Sequence, residues 1–270
     1  MQKQWRVAIL DMYEGVPNEG MRCIRDIVRQ HAGTHQLQLQ LDEFEVRMEE
    51  QMADLSYDLY ISTGGPGSPV DSKGSNWETK FFKLMSDLEH WNKTQEQKKH
   101  VFLICHSYQL YCRHLELGEV CLRKSPAFGV FPVHITTEGE AVFAQLPDPF
   151  YIVDSRNWQV IGLDHAKIAA MGARVLAIEK ERPHVPLERA TMAIRFNEYC
   201  IGTQFHPEAD ALGMLKYLKK DQKKNQVIAA HGEEKYHSML EHLNDPDKIM
   251  LTHDNLLPAF FNQALALVES

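Results

Sequence analysis

Three short stretches hold the side chains with the clearest chemical use. Cys105 follows Val101-Phe-Leu-Ile104, a wholly apolar run, and precedes His106-Ser-Tyr-Gln109. A cysteine at a strand-to-helix turn is pushed out over the edge of a sheet, and a helix N-terminus favours the thiolate, the nucleophilic form. His206-Pro207-Glu208 supplies what such a nucleophile needs. An imidazole can move the proton, and a carboxylate can hold the other ring nitrogen. Gly64-Gly65-Pro66-Gly67 is the third stretch. A chain without side chains can bring backbone N–H groups close to a substrate and stabilise a developing oxyanion. Each has a plainer reading when taken alone: a packed thiol, one of fourteen histidines that happens to precede an acid, and a surface turn.

The elements that must position these residues are legible in outline. Trp5–Leu10, Leu37–Val46, Tyr57–Ser62 and Val101–Ile104 read as strands. Met21–Gln30 and the stretch after Ser75 read as helices. Ser75 and Glu78 have the spacing of a capping box, and Trp77, Phe81, Leu84, Leu88 and Trp91 follow the helical period. A helix is expected from His106 to Leu115. Six short strands are expected between Ala127 and Gln204: 128–135, 150–153, 158–163, 174–178, 190–196 and 199–204. Strands alternating with helices at the front of the chain imply a parallel sheet with right-handed crossovers, whose ligands sit at the carboxyl ends of the strands. All three chemical stretches begin where a strand ends.

Composition narrows the class. The 270 residues are 44% hydrophobic and 24% charged, near the globular average, which excludes a disordered or collagen-like chain. A net charge of −8 argues against phosphate-backbone binding, so no nucleic-acid partner is expected. No run approaches the ~20 apolar residues of a membrane span, and no secretory signal is visible at the N-terminus. Five scattered cysteines with no C-x-x-C pair read as reduced thiols rather than a disulfide framework or a zinc site. A cytoplasmic protein with no metal and no cofactor is the expectation. The basic run Lys219, Lys220, Lys223 and Lys224 reads as a solvated helix face.

Taken in order, the three stretches resemble the class I glutamine amidotransferases. That family has a glycine-rich oxyanion loop, a nucleophilic cysteine in a G-x-C-x-G-x-Q elbow, and a distal H-P-E. The separations here, 40 residues from Gly65 to Cys105 and 101 from Cys105 to His206, lie in the family's range. Arg123-Lys-Ser-Pro, Phe128–Val133 and Gly172–Ala177 also look like its middle segments. The resemblance covers about residues 5 to 215 and is strongest to a stand-alone GMP synthase glutaminase domain. It implies an α/β, flavodoxin-like fold: a mostly parallel central sheet flanked by helices over 1–215, followed by a helical C-terminal extension over 216–270. It also implies Cys105, His206 and Glu208 as the catalytic triad, with Gly64, Gly65, His106 and Gln109 for the oxyanion and substrate. One departure is plain. Leu103 and Ser107 stand where the elbow has glycines, and they are expected to narrow the pocket or shift the donor on His106.

Three functions stay open at this point. The first is a glutaminase that passes ammonia to a separate synthetase subunit or another acceptor. The second is a hydrolase of γ-glutamyl compounds with the same fold. The third is a catalytically silent binding module. No G-x-x-x-x-G-K-[ST] loop is present, and the C-terminal extension is too short for an ATP-using domain. That extension could cover the core or form a homo-oligomer contact.

Overall fold

The computed structural model describes residues 3–243, 245 and 247–269. Its first half alternates β1 (Gln4–Asp11), α1 (Glu19–Thr34), β2 (Gln38–Glu45), β3 (Leu59–Ser62), α2 (Asn76–Thr94), β4 (His100–Ile104) and α3 (His106–His114). Four strands and one short helix follow: β5 (Glu119–Ile135), β6 (Phe150–Ile161), α4 (His165–Ala170), β7 (Arg174–Glu179) and β8 (Thr191–Asn197). The chain then returns through β9 (Cys200–Thr203) and ends in α5 (Ala211–Leu218), α6 (Asp221–His231), α7 (Glu233–Leu243) and α8 (Ile249–Glu269).

All nine strands join one sheet in the order β2-β1-β3-β4-β9-β8-β7-β5-β6. From β2 to β9 every pairing is parallel, and from β9 to β6 every pairing is antiparallel. β3, β4 and β9 are buried along their whole length, as strands covered on both faces must be. Each of the three chemical stretches leaves the sheet from one of these: the glycine loop from β3, Cys105 from β4, and His206 just beyond β9. Thus a mostly parallel sheet flanked by helices places them at one edge.

Three local expectations are corrected. Ser75 does precede α2, but its side chain makes no capping bond. Glu78 instead accepts from Ser72 Oγ at 2.7 Å and pairs with Arg113, an interaction buried enough to outcompete the local box. The separate strands expected at 150–153 and 158–163 are one continuous β6. The polar Asp154-Ser-Arg-Asn157 between them resembles a turn in sequence, yet Asp154 and Arg156 neutralise each other inside the sheet, with Arg156 Nε 2.9 and 3.0 Å from the two carboxylate oxygens. The strand expected at 128–135 likewise extends back to Glu119, with a bulge between Leu122 and Ala127.

The C-terminal helices pack into the core. Val227, Tyr236, Met239, Leu243 and Ile249 form an apolar cluster with Phe128, Val130 and Val153. Leu257, Phe260 and Phe261 of α8 join the cluster that contains Trp5 and Phe102. Phe261 meets Trp5 edge-on at 5.7 Å and His31 at 5.3 Å. Removing so large a buried ring leaves a cavity in the main core. Phe261→Ala is expected to lower stability by about 3–5 kcal/mol, read as a lower midpoint in urea unfolding.

Candidate active site

Cys105 occupies a sharp turn between β4 and α3, with φ 48° and ψ −95°. A non-glycine residue at positive φ is strained and persists only where its surroundings hold it. Here its N–H donates to the Thr203 carbonyl of β9 at 2.7 Å, and its carbonyl accepts from Gln109 at 3.0 Å. The thiol is 5% exposed and lies at the N-terminus of α3.

The two elbow substitutions turn away from the pocket. Leu103 is fully buried in the cluster on one face of the sheet, and its register partner on β9 is Gly202. A Cβ on Gly202 would lie 2.8 Å from Tyr108, 2.9 Å from Phe196 and 3.4 Å from the Leu103 Cβ. Room for a side chain before the cysteine is thus supplied by a glycine on the adjacent strand. Ser107 is buried too, where it donates to the Thr63 carbonyl at 2.6 Å and lies 2.7 Å from Ser62 Oγ. Neither residue lines the pocket beside Cys105, so the expected narrowing does not occur.

His206 is fixed by its backbone and by its ring. Its N–H donates to the Val153 carbonyl at 2.9 Å, which ties the segment after β9 to β6. Its Nδ1 is 2.8 Å from Glu208 Oε1. Burial of the ring opposes protonation, but the Glu208 charge and then Cys105 outweigh it and raise the His206 pKa well above the usual imidazole range. Two residues further on, Asp210 caps α5 through Gly213 N–H at 2.7 Å and receives Arg22 at 2.8 and 2.9 Å. The segment carrying His206 and Glu208 is therefore anchored at both ends.

The glycine loop closes over this pair. A Cβ on Gly64 would lie 2.7 Å from His206 Cε1 and 3.6 Å from Cys105 Cβ, so only glycine permits the approach. The loop is held by Met12 N–H donating to Thr63 Oγ1 at 2.9 Å and by Arg47 donating to the Pro66 carbonyl at 2.7 Å. Gly65, Cys105, His106 and Gln109 line one pocket of about 190 Å³, together with Ser155, Arg156 and Trp158 of β6. Gln109 is buried, and its amide nitrogen reaches the Trp158 carbonyl at 3.3 Å and Gln204 Oε1 at 3.2 Å. The His106 side chain is buried behind the pocket and neutral, its pKa pushed down to about 3 by burial and then by Arg47 and Arg113.

Sequence reading missed two residues here. Tyr13 has its hydroxyl against Gly64, and burial followed by Glu208 and Cys105 raises its pKa well above the usual phenol range. Lys223, expected on a solvated helix face, lines the pocket with its ammonium 4.0 Å from the Phe128 ring centroid. Neither had a local signal, since Tyr13 sits in a polar loop and Lys223 in a run of like charges. Among the described residues no group of histidine, cysteine and acidic side chains is arranged to hold a metal. Likewise, no helix is long and apolar enough to cross a membrane.

The sequence model for "Glutamine amidotransferase class-I" matches residues 21–224. The chain belongs to the class-I glutamine amidotransferase family. Its general chemistry is hydrolysis of the glutamine side-chain amide. Among solved structures, a glutamine amidotransferase from Thermotoga maritima superposes with a TM-score of 0.69 at 17% identity, over 100% of both chains. One from Methylobacillus flagellatus gives 0.66 at 14%, over 99% of this chain and 96% of the other. A putative GMP synthase subunit from Thermoplasma acidophilum gives 0.53 at 16%, over 87% and 99%. At these identities the likeness is one of fold. No match was found among curated protein sequences.

The His206 environment has a titration signature. With its pKa raised in the folded state, the charged ring contributes stability in full below the unfolded value, and that contribution is lost as pH rises through the folded value. Glu208→Gln removes the largest cause of the rise. NMR of the imidazole nitrogens should show wild-type His206 as imidazolium at neutral pH, and the variant titrating at distinctly lower pH.

Proposed function

We propose that this amidotransferase hydrolyses glutamine to glutamate and ammonia through a thioester on Cys105. The reading rests on one observation: Gly64 packs against both the Cys105 side chain and the His206 ring that Glu208 holds, and Cys105 lines a pocket. In this mechanism the Cys105 sulfur attacks the amide carbon, and His206 gives its proton to the departing ammonia as the C–N bond breaks. A water activated by His206 then cleaves the γ-glutamyl thioester. Glu208 holds the ring throughout. The backbone N–H of His106, one of the donors that a helix N-terminus leaves unpaired, serves the oxyanion together with Gly65. Gln109 supports the substrate from its buried position, its amide nitrogen already engaged.

The pocket is smaller than the ~300–1,000 Å³ typical of drug-sized ligands, in keeping with a substrate as small as glutamine rather than a γ-glutamyl peptide. The acceptor of ammonia is a separate synthetase subunit or a small molecule, in a cytoplasmic setting. All five cysteines are free thiols, as that setting requires.

The test follows ammonia release by the isolated protein. Turnover of glutamine is expected to exceed that of γ-glutamyl peptides, and Cys105→Ala should reduce it by at least about 10³-fold. Undiminished turnover in Cys105→Ala would overturn the mechanism. A reversed preference would transfer the same mechanism to γ-glutamyl hydrolysis.

A further inference from the structure

A second pocket, of about 450 Å³, opens next to the first and has no part in the chemistry above. Pro126 and Ala127, at the end of the β5 bulge, form a wall common to both. Its floor is apolar, with Phe131, Ile152 and Met192 among the contributors. Its charged side chains are unevenly matched. Asp154 is taken up by Arg156, and Glu179 is shared by Arg123 at 2.8 Å, Arg182 at 2.8 Å and Arg156 at 3.3 Å. With Glu181 exposed, five cationic side chains stand against three carboxylates when Arg156 is included.

The surplus lies along the cavity wall. Arg182 is 8% exposed, yet its Nε is buried without a hydrogen-bond partner, a costly state for a charged donor. Lys180 and Lys235 place their ammonium groups 5.1 and 5.9 Å from the centroid of the same ring, Phe131. Among the described residues neither forms an ion pair. Burial, and then the charge of Lys235, lower the Lys180 pKa from its ordinary value. An anion between the two lysines and Arg182 would relieve the repulsion between them.

We propose that this pocket is a second ligand site, which takes a small organic anion with a carboxylate or phosphate head and an apolar body. The head sits among Lys180, Arg182 and Lys235, and the body lies on Phe131 and Met192. The volume falls within the usual range for a small-molecule site. The site stands independently of the glutaminase reading, because its readout is binding and not turnover.

Calorimetric titration tests it with phenyl phosphate, benzoate and neutral benzamide as probes. At least one of the two anions is expected to bind, and benzamide to bind far more weakly; which anion is preferred identifies the head group. Arg182→Gln should abolish binding, but it also strips a partner from buried Glu179 and could unfold the chain. The Lys180→Gln/Lys235→Gln variant avoids this, since neither lysine supports a buried carboxylate through an ion pair. It should fold normally and bind the preferred anion on the order of tenfold more weakly or worse. Equal affinity for benzamide and both anions, or full affinity in the double variant, would overturn the proposal.

Discussion

An imidazole can pass a proton between a thiol and a departing amine only if its two nitrogens are held to different tasks. In this protein one nitrogen is committed to Glu208 at 2.8 Å, which leaves the other side of the ring for Cys105. Holding that ring is the constraint around which the surrounding structure is arranged. The His206 backbone is bridged to Val153, the Gly64 backbone presses on its Cε1 edge, and Arg22 fixes the chain two residues beyond Glu208. Parallel strands bring these parts together because β3, β4 and β9 end on the same side of the sheet.

The elbow shows how a strained turn can tolerate larger residues than the family pattern prefers. What a turn of this kind needs is space around the cysteine backbone, and the space need not come from the turn itself. Gly202 provides it from the neighbouring strand opposite Leu103, and the Ser107 hydroxyl is absorbed by Thr63 and Ser62. The positive φ of Cys105 is kept by bonds to Thr203 and Gln109. Beside the pocket, arginines gather around Glu179 and Asp154 in a buried charged network. Buried charges of this kind stabilise little unless each is paired, so a network with surplus donors differs from a purely structural one.

Much of this was visible in the chain before folding. The residues that do chemistry sit at strand ends, and apolar runs such as Val101–Ile104 mark strands clearly. The glycine loop, Cys105, His206 and Glu208 could therefore be placed at one edge from spacing and family resemblance together. What could not be read depends on distant partners. Asp154-Ser-Arg-Asn157 looks like a turn until Arg156 meets Asp154 and Glu179. Ser75 and Glu78 look like a capping box until Arg113 claims the glutamate. Lys223 looks solvated until α6 brings it over Phe128. In each case a contact distant in sequence overrides a local pattern: Arg156 with Glu179, Glu78 with Arg113, and Lys223 with Phe128.

Covalent labelling addresses the central claim most directly, because five free thiols compete for the reagent. A diazo-ketone analogue of glutamine, followed by peptide mapping, should place a single adduct on Cys105. Excess glutamine should suppress that adduct, and His206→Ala should slow its formation sharply. Labelling spread over the other cysteines, or an adduct on Cys105 indifferent to both glutamine and His206, would contradict the account.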